Sequence, residues 1–212
     1  MAGIEEKVKT GEETNFFGES FLKDKVVPKG FFEYTVLEEG RIVDSFSEEN
    51  LITKIGLEAL TRLLAIGDGT NPGDPDNRIK GLQLGVKGYD PSQTPLNVFI
   101  PRVPSVNDTS LVQVNLNKFP GIGSFSEFEF DSTINRAFVK FCFSIGNSEG
   151  NSPDPSNLPD PDQSVYNPST GTIVYTEAAL VTNENTLFSV KTFPGLTKTS
   201  NRKIRIEWTI AF

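Results

Sequence analysis

Glu127, Glu129 and Asp131 alternate along one short run and are the nearest the chain comes to a catalytic constellation. Residues two apart share a face of an extended strand, and a facing pair of acids can hydrolyse a glycosidic bond. The plainer reading of such a row is a solvated sheet face. Two acidic loops come next, one with Asp68, Asp74, Asp76 and Asn77, the other with Asp154, Asp160 and Asp162. Their oxygens suit Ca²⁺, but neither loop has EF-hand spacing, and Asp-Pro and Asn-Pro steps are ordinary turn chemistry. The expectation is therefore no metal and no cofactor, with Ca²⁺ in the Asp-rich loops as the one alternative. Asn107-Asp108-Thr109 fits a glycosylation acceptor, a match that carries meaning only in a secreted chain.

Other chemistry is missing. The chain has no histidine, which removes Ser-His-Asp and Cys-His catalysis, His-ligated zinc and imidazole acid–base work. Its one cysteine, Cys142, sits in the apolar run Phe141-Cys142-Phe143 and reads as a buried or half-buried structural thiol. It also rules out an internal disulfide, so packing alone must hold the fold. No Walker-type phosphate loop or dinucleotide fingerprint is present. The chain is not expected to be an enzyme.

Composition narrows the partners. A formal net charge of −8 argues against nucleic acid, whose binding needs clustered Lys and Arg. No run approaches the roughly 18 apolar residues of a membrane span, and the polar start MAGIEEKVKTGEE has no signal-peptide core. The expectation is a soluble product of the cytoplasm. Phe is abundant (17) beside one Trp and four Tyr, with 18 Gly and 14 Pro. Aromatics favour pleated surfaces, and Gly and Pro serve the turns between many short strands.

The elements follow from periodicity. Residues 1–29 read as an N-terminal arm, either a frayed tail or a segment that lays Phe16, Phe17, Phe21 and Leu22 on a neighbouring subunit. Residues 30–212 read as one domain. Phe31 to Phe46 is a hairpin turning at Glu38-Glu39-Gly40. Lys54 to Ile66 is a helix with Thr53 as N-cap, a core stripe of Ile55, Ala59, Leu60, Leu63 and Leu64, and Gly67 as stop. Strands are expected at Ile79–Val86, Leu111–Leu116, Ser124–Asp131, Ala137–Ile145, Ile173–Val181, Leu187–Phe193 and Ile204–Phe212, and any strand between Val98 and Asp108 would sit at an edge because of Pro101 and Pro104. Residues 146–170 form a loop too long for an ordinary connection. The last strand alternates most clearly: Ile204, Ile206, Trp208, Ile210 and Phe212 against Arg205, Glu207 and Thr209. The fold class is all-β, a jelly-roll-like β-sandwich with one short α-helix and an extended arm.

Two groups of segments add a resemblance. The first is Tyr34-Thr35-Val36, then Glu49-Asn50-Leu51-Ile52-Thr53-Lys54-Ile55-Gly56-Leu57, then Leu63-Leu64, then Ile79 to Leu84-Gly85. The second is Thr176-Glu177-Ala178-Ala179-Leu180, Leu187-Phe188, Phe193, Lys198 and Ile206-Glu207-Trp208-Thr209-Ile210-Ala211-Phe212. In this order they resemble a class of tailed-bacteriophage virion proteins found as head-decoration, tail-fibre or baseplate components. The matched pieces are short and span most of Phe32 to Phe212. Leu84-Gly85-Val86-Lys87-Gly88-Tyr89 departs from the Gly-x-Gly-Thr-like turn usual there, and 146–170 looks like an insertion.

The resemblance implies a structural subunit of a virion, assembled in the host cytoplasm, contacting other virion proteins of capsid, collar or tail and forming a homo-oligomer. It carries no catalytic residue across. A capsid-decoration, collar or fibre-anchoring role is expected first. The alternative is a tail-fibre or baseplate module that binds a receptor or glycan, with Tyr89, Tyr166 and Tyr175 as the ring platforms near loops.

Overall fold

A computed structural model describes residues 28–66, 76–92, 99–119, 126–131, 136–152 and 165–211. The elements in chain order are β1 (Lys29–Glu38), β2 (Arg41–Ile52), α1 (Lys54–Ile66), β3 (Ile79–Gly85), β4 (Val114–Lys118), β5 (Ser126–Asp131), β6 (Arg136–Ile145), β7 (Tyr166–Asn167), β8 (Thr172–Thr182), β9 (Leu187–Lys198) and β10 (Arg202–Ala211). The protein is all-β with one short helix, as the periodicity implied.

The strands form one antiparallel sheet in the order β4-β3-β8-β9-β2-β1-β10-β6-β5, with β7 paired to β8. The sheet folds over at the end of β2. Up to Asn50 this strand pairs with β1, whereas Leu51 and Ile52 pair with Val190 and Ser189 of β9. Two layers result, β2-β1-β10-β6-β5 and β4-β3-β8-β9. The pairs β1–β10, β2–β9 and β3–β8 are nested in sequence. Consecutive strands β1–β2, β5–β6 and β8–β9 are also hydrogen-bonded neighbours.

The layers meet through aromatic rings. Phe32 on β1 stacks on Phe193 of β9 at 5.4 Å, and Trp208 on β10 meets Phe32 edge-on at 5.0 Å. Tyr34 contacts Phe193 at 5.6 Å and stacks on Phe46 of β2 at 5.5 Å. Ile204, Ile206, Trp208 and Ile210 are all buried, while Arg205 is exposed and Glu207 and Thr209 are half-buried. Each large apolar side chain removed from water contributes roughly 1.5–3 kcal/mol, so β10 is a main source of stability. Phe212 lies outside the described residues.

The helix starts where the cap predicts. Thr53 Oγ1 accepts the N–H of Gly56 at 3.0 Å, the N-cap to N3 bond. Ala59 reaches the main core, Leu60 packs against it, and Ile55 and Leu63 are half-buried. The helix packs on β9, and Gly56 allows the close approach: a Cβ there would collide with the Phe188 carbonyl oxygen.

The sequence alternates poorly in β8 because this strand is buried on both faces. One face belongs to the main core. On the other, Ala179 and Val181 form a second cluster with Leu187, Val190 and Leu111. Leu111 comes from the irregular segment 99–113, whose Pro101 makes an isolated bridge with Tyr89. The strand expected at Leu111–Leu116 begins instead at Val114, and the reason is chemical: the N–H groups of Val112 and Gln113 donate to the Glu177 carboxylate.

Candidate functional site

Motif residues of the resemblance converge in space. Gly85 of β3 stands opposite Glu177 of β8. Glu177 is fully buried, and its carboxylate accepts the N–H of Gln113 at 3.0 Å and of Val112 at 3.2 Å. Arg102 stands 3.7 Å away and also pairs with Asp108 at 2.8 Å. Burial pushes the Glu177 carboxyl up, while these donors act in the opposite sense. A Cβ on Gly85 would lie 2.5 Å from Glu177 Oε1, and one on Gly88 would lie 2.6 Å from the Thr176 carbonyl oxygen. Thr176 Oγ1 accepts the Gly88 N–H at 2.9 Å. The adjacent residues Thr176 and Glu177 thus clamp the segment after β3 and the strap 99–113 onto the sheet.

A second clasp holds the root of the long loop. The Lys198 ammonium is fully buried and donates to the carbonyls of Asn147 at 2.9 Å and Thr199 at 2.7 Å, and to the Asn151 side chain. Burial pulls its pKa down to about 8, with nearby Glu149 opposing. Glu149 itself receives Lys118 and the Gly146 N–H, which lower its pKa. Tyr175, also buried, donates to the Gly150 carbonyl at 2.9 Å and accepts from Asn115 at 3.0 Å.

These polar groups have the burial that active sites use to perturb pKa, yet each is enclosed by donors and acceptors that close a loop. Catalysis needs a reacting atom within reach of solvent or substrate. Glu177, Lys198 and Tyr175 are each 0 % exposed, so the arrangement is one of structural clasps. Sequence reading missed Glu177 and Lys198 as buried charges; the signal available was a charge inside an otherwise apolar strand, Tyr175 to Val181 for Glu177.

The other candidates fall as follows. Phe16, Phe17, Phe21 and Leu22 lie outside the described residues, as do Asp68, Asp74, Asp154, Asp160 and Asp162. Asp76 is held by Nε and Nη2 of the Arg78 guanidinium, at 2.9 and 2.7 Å, and by Asn183; the Arg78 bonds bring its pKa down to about 2. The backbone places Glu127, Glu129 and Asp131 opposite Lys140, Phe138 and Arg136 on the terminal strand β5. Their side chains lie outside the described part. Cys142 is half-buried and borders a depression of about 250 Å³ with Leu37, Ser144, Lys203 and Arg205. Of the suggested ring platforms, Tyr175 is unavailable because it is buried, and half-buried Tyr89 packs on Phe99 at 5.0 Å. Among the described residues no three metal-ligating side chains cluster, and no helix is long and apolar enough to cross a membrane.

Comparison with protein-family models, with curated proteins and with solved structures finds no match for this chain.

Proposed function

We propose that this chain is a non-enzymatic structural subunit of a tailed-phage virion, docking on other virion proteins as a capsid-decoration, collar or fibre-anchoring component. The observation that carries the reading is that the resemblance segments meet along β8 and β9. Leu84 and Gly85 pair with Ala178 and Glu177, Gly56 lies flush on β9 at Phe188, and Lys198 closes the far end of β9. The shared motif is thus a set of fold-closing contacts, which is what a family of structural subunits with differing surfaces would keep in common. The buried charges have their partners inside the fold, and this supports a non-enzymatic role. Docking is assigned to the surface, with the arm residues Phe16, Phe17, Phe21 and Leu22 as the first contact. The test is immunogold labelling of particles from cells that make the chain. Gold at one fixed position, on the head, collar or tail, is the expected result; unlabelled particles beside a labelled soluble fraction would refute it.

A further inference from the structure

Among the described residues one edge of β2 is open. From Arg41 to Asn50 it is bonded to β1 on one side, and among the described residues no strand pairs with the other. The Glu49 carbonyl there accepts Lys191 Nζ at 2.9 Å. Ten residues at about 3.4 Å each make roughly 30 Å of unpaired backbone. Ile42 and Val43 on it are 67 % and 47 % exposed. Proteins commonly blunt such an edge with Pro, Lys or Gly-based irregularity, or pair it. The diverging edge of β9 is blunted in this way by Pro194 and by Gly195 at φ 128°. Residues 41–50 contain no Pro, Gly or Lys; the protection they do have is one bulge at Val43 and the charges of Asp44 and Glu48.

We propose that this edge pairs antiparallel with β2 of a second copy of the chain, about a two-fold axis at Ser45. A two-fold normal to the sheet keeps every side chain on its own face, so the residue at the axis must oppose itself. The β1 register puts Asp44, Phe46 and Glu48 on the face of Val36, Tyr34 and Phe32, and Ser45 and Ser47 on the other. Val43 is the extra residue of the bulge, which returns Ile42 to the face of Leu37 and Arg41 to that of Glu38. With the axis at Ser45, Ile42 then opposes the partner's Ser47, Asp44 the partner's Phe46, and Arg41 the partner's Glu48. The charges that meet are opposite, and they meet twice by symmetry, Glu48 being shared there between the partner's Arg41 and Lys191 of its own chain at 2.5 Å. An axis at Asp44 would set two carboxylates face to face. An axis at Phe46 would oppose Asp44 to the partner's Glu48, and one at Ser47 would leave Arg41 unpaired. Like charges directly opposed destabilise a ladder and unlike charges stabilise it. The inference rests on this edge alone and does not depend on the virion reading.

The test uses the full chain. Sedimentation should show a concentration-dependent dimer. Arg41→Glu sets like charges opposite at both ends and should raise the dimer dissociation constant by about tenfold, with the thermal midpoint unchanged at concentrations where both proteins are monomeric. In a Cys142→Ser background, Ser45→Cys should form a disulfide-linked dimer on mild oxidation. Directly opposed Cα atoms lie about 4.5–5.5 Å apart, within the range a disulfide spans. Ser47→Cys should not cross-link, because it opposes Ile42 rather than itself. A chain monomeric at all concentrations would overturn the proposal. So would equal cross-linking at both positions, or an oligomer indifferent to Arg41→Glu, which would place the contact on residues 1–27 or another face.

Discussion

Glu177 lies opposite Gly85 in the β3–β8 ladder, and the missing side chain of that glycine makes room for the carboxylate that captures Gln113. Gly85→Ala should therefore cost about 1–3 kcal/mol, the range for overpacking a filled site. Denaturant unfolding measures it directly. Glu177→Ala should act differently. It leaves two backbone donors without their acceptor, at about 1–3 kcal/mol each, and hydrogen exchange should quicken at Val112 and Gln113 before the rest of the sheet.

Gly56 reverses the usual helix rule. Ala in place of Gly normally stabilises a helix interior by roughly 0.5–1 kcal/mol. Here the added methyl would meet the Phe188 carbonyl oxygen, which is backbone of β9 and cannot swing away. Gly56→Ala is expected to lower the thermal midpoint, and an unchanged or raised midpoint would show that α1 does not sit flush on β9.

Trp208 anchors the core through Phe32. Trp208→Ala should cost about 3–5 kcal/mol. Its indole N–H has no hydrogen-bond partner among the described residues, so Trp208→Phe should cost much less. Equal losses from both, read by chemical denaturation, would mean the indole nitrogen matters after all.

Lys198 gives a pH signature. The folded chain releases this proton near pH 8, the unfolded chain near 10.5. Between those values the unfolded state binds more protons, so stability should rise with pH across the window. Tyr34 and Tyr175 oppose this above pH 10, because burial raises their phenol pKa above the ordinary value of 10.0 and only the unfolded chain ionises there. A stability maximum near pH 10 is expected. Lys198→Met should flatten the rise above pH 8 and expose residues 146–152 to proteolysis.

Much of this architecture can be read in the residues. The alternation in β1, β6 and β10 is plain because one face of each meets the core and the other is more exposed. Thr53 and the helix after it are legible from local capping. β8 is not, since burial on both faces erases its period. β9 runs to Lys198, beyond the expected end at Phe193, because Pro194-Gly195 reads as a turn when taken locally. The clasps were out of reach for another reason. Glu177 and Lys198 are fixed by partners 64 and 51 residues away, and no local pattern encodes such distances. The open edge of β2 is likewise a property of the whole sheet order.

The central proposal is that the chain is part of a phage particle. Quantitative mass spectrometry of gradient-purified particles tests it most directly. The account predicts a fixed ratio of this chain to the major capsid protein that persists through successive purifications. A ratio that falls toward zero as the particles become pure would contradict it.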